Sequence, residues 1–140
     1  MTRRILELMQ PGASLKVFEL DQAMRKNLEE ELHIPVYSDA CDLVSLAAPQ
    51  SLDLVVSSLP WTTLPKAISR KILHGVLTCL KPGGQFLAYQ YSRQMRHCFR
   101  HLFGKVEMSF VLRNIPPAFV YNCKMPRIEQ VKNIFYYLHS

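Results

Sequence analysis

The sequence predicts an α/β fold in which helices cover both faces of a mainly parallel sheet. Two observations support this prediction. Short apolar segments typical of strands alternate with segments whose apolar residues recur at helical spacing. Neither an internal repeat nor a low-complexity stretch interrupts the alternation, and 140 residues are enough for one domain. Parallel strands need crossover connections, which the intervening helices provide.

The first forty residues predict two helices and two strands. Residues 5–9 have the apolar spacing of the last turns of a helix, and a Pro-Gly pair at 11–12 ends it. Asp21 is placed to cap a second helix that runs to Leu32. Strands are predicted on either side of this second helix, over residues 15–20 and 34–37.

The remaining hundred residues predict a buried strand over 52–57 and a long helix over 65–80. The helix carries an apolar residue at every fourth position, and Pro82-Gly83-Gly84 ends it with left-handed glycine backbone. The last two strands are joined by a short loop, which predicts an antiparallel edge to the sheet. The other predicted elements are helices over 42–47, 92–103 and 127–138, and strands over 85–91, 106–112 and 118–123.

Composition and charge narrow the class of protein. A net charge of +6 favours an anionic partner, either an acidic membrane surface or a nucleic acid. The sequence has no apolar run long enough to span a bilayer and no signal-peptide pattern, so we expect a cytoplasmic location, with room for a peripheral membrane contact. The four cysteines form no CxxC pair, and His97 and His101 lack the glutamate of a zinc motif. No metal site is therefore expected.

Two carboxylates follow the first two predicted strands. In open α/β sheets, ligands bind at the carboxyl ends of the strands. Glu19 could there accept hydrogen bonds from a ribose diol, and Asp39 could bind an adenine amino group. The alternative is that Glu19 is a solvated strand-end acid and that Asp39 bonds its own backbone in a turn.

The segment Ser58-Leu59-Pro60-Trp61 follows the predicted strand over 52–57. Proline stiffens such a turn. The backbone carbonyl oxygens and the serine hydroxyl of the turn could accept hydrogen bonds from an amine. The ring of Trp61, the single tryptophan, could cover a base or a cationic head group. The alternative is that Trp61 packs the loop onto the core.

Taken in order, these segments resemble the later motifs of class I S-adenosylmethionine-dependent methyltransferases. The Pro-Gly-Gly segment at 82–84 is widely shared among them. Residues 52–61, the Gln90-Tyr91 pair and residues 113–121 more specifically resemble the phospholipid N-methyltransferases, a family similar to the ribosomal RNA adenine dimethylases. The resemblance extends from about Arg3 to Cys123, nearly the whole chain.

The resemblance implies S-adenosylmethionine as cofactor and methyl transfer to an amine, with phosphatidylethanolamine as the acceptor. Because the amine reacts through its neutral lone pair, positioning and desolvation would supply most of the rate. Arg93, Arg96, Arg100 and Lys105 would meet anionic head groups, or else form a solvated helix face. The implied site residues are Glu19, Asp39 and Ser57 for the cofactor, Ser58, Pro60 and Trp61 for catalysis, and Tyr91, Asn114 and Pro116 for the substrate.

The glycine-rich loop of the family has no counterpart in this sequence. The chain holds five glycines, and no two of them are separated by a single residue. The resemblance therefore predicts a truncated Rossmann-like domain over residues 1–124, lacking the first and central strand, followed by a helical extension over 125–140. We expect weak or absent cofactor binding by this chain alone. An RNA adenine N6-methyltransferase and a non-enzymatic remnant or interaction module are the alternative functions.

Overall fold

Helices and strands alternate along the chain, as the sequence predicts. A computed structural model describes residues 1–134 and 138. The chain divides into two compact units, residues 1–40 and 41–140. The two units are described separately below.

The first unit is built on two short parallel strands. It contains helices α1 (Thr2–Leu8) and α2 (Gln22–Leu32) and strands β1 (Val17–Phe18) and β2 (Val36–Tyr37). The backbone N–H of Met24 donates to the Asp21 carboxylate at 2.8 Å, which confirms the predicted N-cap of α2. Because β1 and β2 are parallel and in register, both strands end on the same side of this small sheet.

The second unit contains a four-stranded mixed sheet. Its order is β3-β4-β6-β5; β3 and β4 are parallel, and β6 is antiparallel to both of its neighbours. The β5–β6 hairpin therefore adds two strands, with β6 inside the sheet and β5 at its edge. The elements of this unit are α3 (Leu43–Leu46), β3 (Leu52–Ser57), α4 (Lys66–Cys79), β4 (Leu80–Gln90), α5 (Arg96–Leu102), β5 (Phe103–Val111) and β6 (Ala118–Pro126), with 3-10 turns over Ala40–Asp42 and Ile128–Asn133.

Aromatic rings form the centre of the core in the second unit. Trp61 lies edge-on to Phe86 and Phe99, with ring centroids 6.1 and 6.3 Å apart. Phe86 stacks on Phe103 at 5.6 Å, and Phe99 meets Tyr121 edge-on at 5.3 Å. All five rings are buried, and α4 covers this core with a set of buried apolar side chains: Ile72, Leu73, Val76 and Leu77.

Strand β3 differs from the sequence prediction in its burial. The continuous apolar run predicted a strand covered on both faces, but Asp53 and Leu54 are exposed and only Ser57 is buried. Within the described part of the chain, β3 pairs with β4 alone in its sheet and forms one of its edges. An edge strand leaves one side of its backbone without a ladder partner, so its side chains are less covered.

The Pro-Gly-Gly segment has a different role from the predicted helix stop. Helix α4 ends at Cys79, and Leu80 already has extended backbone (φ −68°, ψ 137°) that begins β4. Neither Gly83 nor Gly84 has left-handed backbone. A Cβ atom on Gly84 would lie 3.0 Å from the Leu52 carbonyl oxygen, so Gly84 allows β3 to approach β4 closely.

The C-terminal helix predicted over 127–138 is present only in part as helical turns. Residues Ile128–Asn133 form 3-10 turns, and residues 135–137 lie outside the described part of the chain. Strand β6 continues to Pro126, past the predicted end of the domain at residue 124. The predicted division into a domain and a helical extension stays a prediction.

The four cysteines differ in exposure. Cys41 is half-buried, whereas Cys79, Cys98 and Cys123 are buried. Burial raises the pKa of the Cys98 and Cys123 thiols to about 12, so neither is a thiolate near neutral pH. We therefore expect iodoacetamide at pH 8 to label Cys41 first.

Peptide mapping by mass spectrometry measures the labelling rate at each cysteine. Urea-unfolded protein is the control, and there all four cysteines should react at similar rates. If Cys98 or Cys123 reacted as fast as Cys41 in the folded chain, that result would contradict the burial described for these two thiols.

Candidate active site

The loops at one end of the four-stranded sheet hold most of the predicted site residues. Ser57 lies opposite Ala88 in the parallel pair, and Gln90 lies opposite Phe119 in the antiparallel pair. The ends of β3 and β4 and the loop 112–117 therefore meet at this end of the sheet. It brings together seven of the predicted residues: Ser57, Ser58, Pro60, Trp61, Tyr91, Asn114 and Pro116.

Ser57 holds the turn that follows β3. Its buried hydroxyl oxygen accepts from the Trp61 indole N–H at 3.1 Å and from the Leu59 backbone N–H at 3.3 Å. The Trp61 backbone N–H in turn donates to the Leu59 carbonyl at 2.9 Å. Since the Ser57 hydroxyl oxygen serves two donors inside the turn, its observed contacts are structural ones.

Gln90 is a site residue that the sequence analysis did not assign. Its side chain is buried, and Nε2 donates to the Leu59 carbonyl at 2.7 Å and to the Tyr89 carbonyl at 2.6 Å. Gln90 thereby ties the turn after β3 to the end of β4. The sequence held a signal for its burial but not for its partner, because Gln90 continues the alternation of inward positions that includes Phe86 and Ala88.

Trp61 does not present a ring face at the surface. The side chain is 1% exposed and packs edge-on against two core phenylalanines. The buried ring does not cover a base or a head group, as one interpretation of the sequence expected. The structure agrees with the alternative interpretation, in which Trp61 packs the loop onto the core. The exposed residues of the turn are Ser58 and Pro60. The Pro60 carbonyl accepts from the backbone N–H groups of Thr63 and Leu64, each at 3.0 Å.

The three residues predicted to bind substrate lie next to this turn or in the β5–β6 loop. Tyr91 is exposed and meets Tyr89 edge-on at 5.9 Å. Asn114 is half-buried and Pro116 is exposed. The hydroxyl of buried Tyr121 donates to the Ser92 carbonyl at 3.0 Å and fixes the chain just after β4.

A shallow pocket opens between the loops that follow β3 and β4. Its lining residues are Thr62, Lys66, Gln94, Met95, His97, Cys98 and Leu138. The Lys66 ammonium group donates to the Leu138 carbonyl at 2.6 Å, so this cation is already engaged. The pocket therefore has polar walls, and its lining also includes Cys98, whose thiol pKa burial raises to about 12.

Glu19 and Asp39 belong to the first unit. They follow the neighbouring strands β1 and β2, as predicted, and both are half-buried. The Glu19 backbone N–H donates to the Tyr37 carbonyl at 2.9 Å, and the Glu19 carboxylate accepts from the Asp21 backbone N–H at 3.0 Å. The parallel pair thus places these two acids at one end of the small sheet.

The predicted basic residues lie around α5 and β5. The Arg93 guanidinium lies 5.7 Å from the centre of the Phe119 ring. Arg96 and Arg100 are exposed on α5, and Lys105 pairs with Glu107 at 3.0 Å. That hydrogen bond lowers the pKa of the Glu107 carboxyl.

Among the described residues, no group of three or more His, Cys, Asp or Glu side chains is placed to hold a metal ion. Over the same residues, the structure has no helix with the length and apolar character to cross a membrane.

One curated protein with a similar sequence is an ornithine lipid N-methyltransferase of Singulisphaera acidiphila. It is 28% identical over 137 residues, which cover 89% of this chain and 69% of that protein. No protein-family model matches the chain.

Several solved structures share the fold. A 16S rRNA N2 methyltransferase of T. thermophilus, in complex with AdoMet and guanosine, has a TM-score of 0.63 at 18% identity. The match covers 87% of this chain, which spans only 32% of that protein. A SAM-dependent methyltransferase of Methanosarcina mazei has a TM-score of 0.56 at 15% identity, with 88% of this chain and 87% of that chain covered. The chain therefore has the Rossmann-like α/β fold found in methyltransferases.

Proposed function

We propose that this chain is a class I methyltransferase domain that transfers the methyl group of S-adenosylmethionine to an amine nitrogen in a lipid head group. The acceptor class is an amine such as that of phosphatidylethanolamine. The similarity to an ornithine lipid N-methyltransferase supports the lipid amine, and the fold supports methyl transfer. A cytoplasmic protein working at the membrane surface fits this chemistry.

The observation that carries the proposal is the fixed turn at the end of β3. Gln90 and the Trp61 backbone already use the Leu59 carbonyl, and Thr63 and Leu64 use that of Pro60. The exposed Ser58 hydroxyl is then the side-chain oxygen of the turn best placed to accept from an acceptor amine.

Holding the amine is the main task of the turn. A nitrogen that donates one N–H to Ser58 keeps its lone pair for the methyl carbon, provided that it is neutral. A rigid turn reduces the entropy lost in reaching this orientation, and this term can supply much of the rate without a strong base. In this role Ser57, Gln90 and Trp61 position the turn and do not touch the acceptor.

The cofactor would be held first by the acids of the first unit. Glu19 would bind the ribose hydroxyls and Asp39 the adenine amino group, because both are half-buried polar side chains at strand ends. When bound, S-adenosylmethionine supplies an electrophilic methyl group on a positively charged sulfur. The chain has no Gly-x-Gly loop for the methionine end, so the contacts that we propose are to the ribose and the adenine.

RNA adenine methylation is the second candidate function. The high content of basic residues and the fold shared with an rRNA methyltransferase favour it. An enzyme that takes a base out of its stack holds that base against aromatic or apolar side chains. Trp61 offers no ring face for this purpose, which favours the lipid amine.

Binding of S-adenosylmethionine to the folded 140-residue chain, measured by calorimetry, tests the proposal. We expect binding that Glu19→Ala weakens about tenfold, because two hydrogen bonds to the ribose are each worth about 0.5–1.5 kcal/mol. Glu30→Ala, an exposed acid on α2, is the matched control and should bind as the wild type does. A folded chain that does not bind the cofactor would instead support a non-enzymatic role for this chain alone.

A further inference from the structure

The loop between β5 and β6 carries aliphatic side chains that are largely exposed. Ile115 is 98% exposed and Leu112 is 73% exposed, and Phe110 at the end of β5 is also exposed. Single exposed apolar residues are common on soluble proteins, but three of them within six residues at one hairpin end form a local apolar projection. We call residues 112–117 the hairpin tip.

Two arginines lie in the hairpin tip or beside the start of β6. Arg113 is exposed within the tip, and the Arg93 guanidinium lies 5.7 Å from the ring centre of Phe119, the second residue of β6. The sequence has no Asp or Glu between Glu107 and Glu129, and Glu107 is paired with Lys105. An anionic partner would therefore meet little repulsion at this surface.

The charge of the whole second unit has the same sign. Of the 17 Lys and Arg residues, 12 lie in residues 41–140, together with only 4 of the 11 Asp and Glu residues. The first unit carries the opposite balance, with 5 basic and 7 acidic residues. An anionic surface is thus attracted to the unit that carries the hairpin tip.

We propose that the hairpin tip is a docking element for an anionic lipid bilayer, with Leu112 and Ile115 entering the interface and Arg93 and Arg113 meeting lipid phosphates. Aliphatic side chains gain free energy from leaving water for the acyl boundary, and arginines gain from the negative surface potential. A nucleic acid would use the arginines but would leave the aliphatic side chains in water. The combination therefore favours a membrane over RNA.

Docking through the hairpin tip would also bring lipid head groups close to the proposed acceptor site. The tip lies at the same end of the sheet as the turn that holds Ser58. A bilayer in contact with the tip would present its head groups at that end, where the proposed acceptor amine is needed. This link between docking and catalysis rests on the proposed function, in which the acceptor is a lipid of the membrane.

Vesicle flotation of the full chain tests the docking element. We expect the wild type to float with phosphatidylcholine vesicles that contain about 30 mol% phosphatidylglycerol, and less so with pure phosphatidylcholine. The double variant Leu112→Ser, Ile115→Ser should lose about tenfold or more in partitioning, because it removes both inserted side chains. The matched control is Leu8→Ser, Met24→Ser, which removes two apolar side chains that are 64% and 56% exposed in the first unit. The control should float like the wild type.

A gain-of-signal variant gives an independent measurement. In Ile115→Trp, the new tryptophan should shift its emission to shorter wavelength on anionic vesicles, while buried Trp61 gives a constant background. Flotation of the double variant at the wild-type level, or no emission shift, would overturn the inference. So would a chain that ignores vesicles and binds single-stranded RNA equally well with and without the double substitution.

The result of the vesicle experiments can be distinguished from the result of the test of the proposed function. Calorimetry with S-adenosylmethionine uses no lipid, so a chain that docks through the tip but binds no cofactor keeps this inference and loses the enzymatic one. The reverse result keeps the cofactor site and removes the docking element.

Discussion

Replacing Trp61 with alanine should lower the free energy of unfolding by about 3–5 kcal/mol, the range for large aromatic side chains removed from a core. The Trp61 side chain is fully buried and packs against Phe86 and Phe99, so its removal leaves a cavity among rings that cannot easily move. The indole also donates to Ser57, and alanine removes this hydrogen bond as well. Urea unfolding monitored by far-UV circular dichroism measures the change.

The variant Trp61→Phe separates the cavity from the hydrogen bond. Phenylalanine keeps most of the buried apolar surface but cannot donate to Ser57, whose hydroxyl still accepts from the Leu59 backbone. We expect a loss of about 1–2 kcal/mol, the cost of one buried hydrogen bond and a small void. Equally small losses in the two variants would contradict the packing described for Trp61 and favour a ring that lies at the surface.

Replacing Gly84 with alanine should destabilise the chain by about 1–3 kcal/mol, since a methyl group there overfills a closed space. The new Cβ would lie 3.0 Å from the backbone oxygens of Leu52 and Lys81 and 2.9 Å from the side chain of buried Leu80. Backbone oxygens cannot rotate away, so β3 must move from β4. The change in free energy of unfolding is again measured in urea.

Gly83 provides the matched control for this prediction. It is the preceding residue, it is exposed, and a Cβ on it would have no neighbour within 4 Å. Because alanine restricts the unfolded chain, Gly83→Ala should be neutral or stabilising by about 0.4–1 kcal/mol. The two substitutions should therefore have opposite signs; a similar loss in both would mean that the close approach of β3 at Gly84 is not the cause.

Local signals in the sequence predicted the elements whose stability is local. The Asp21 cap and the end of α2 at Leu32 follow from side-chain chemistry within a few residues, and the structure confirms both. The apolar spacing of α4 likewise predicted its buried face, although Ile68 at the start of that stripe is exposed. Patterns of this kind need no knowledge of distant neighbours.

Features that depend on distant neighbours were not predictable in the same way. The apolar run of β3 predicted burial, but its coverage depends on which strands pair with it in the sheet. The direction of the Trp61 ring could not be chosen from its flanking residues, because it depends on Phe86 and Phe99 far along the chain. The contact of Gln90 with Leu59, 31 residues away, is visible only in the fold.

The shared position of Trp61 in the turn and in the core constrains how this protein can change over evolution. If the turn holds the acceptor as proposed, a Trp61 substitution that reshapes it for a different acceptor also disturbs the packing of Phe86 and Phe99, because one side chain serves both. Variants with new acceptor preference would therefore tend to start from a less stable chain, as is usual when a site and a core share residues. Changes at Ser58 avoid this coupling because its side chain is exposed, so under the proposed function selection for new specificity has its least costly route there.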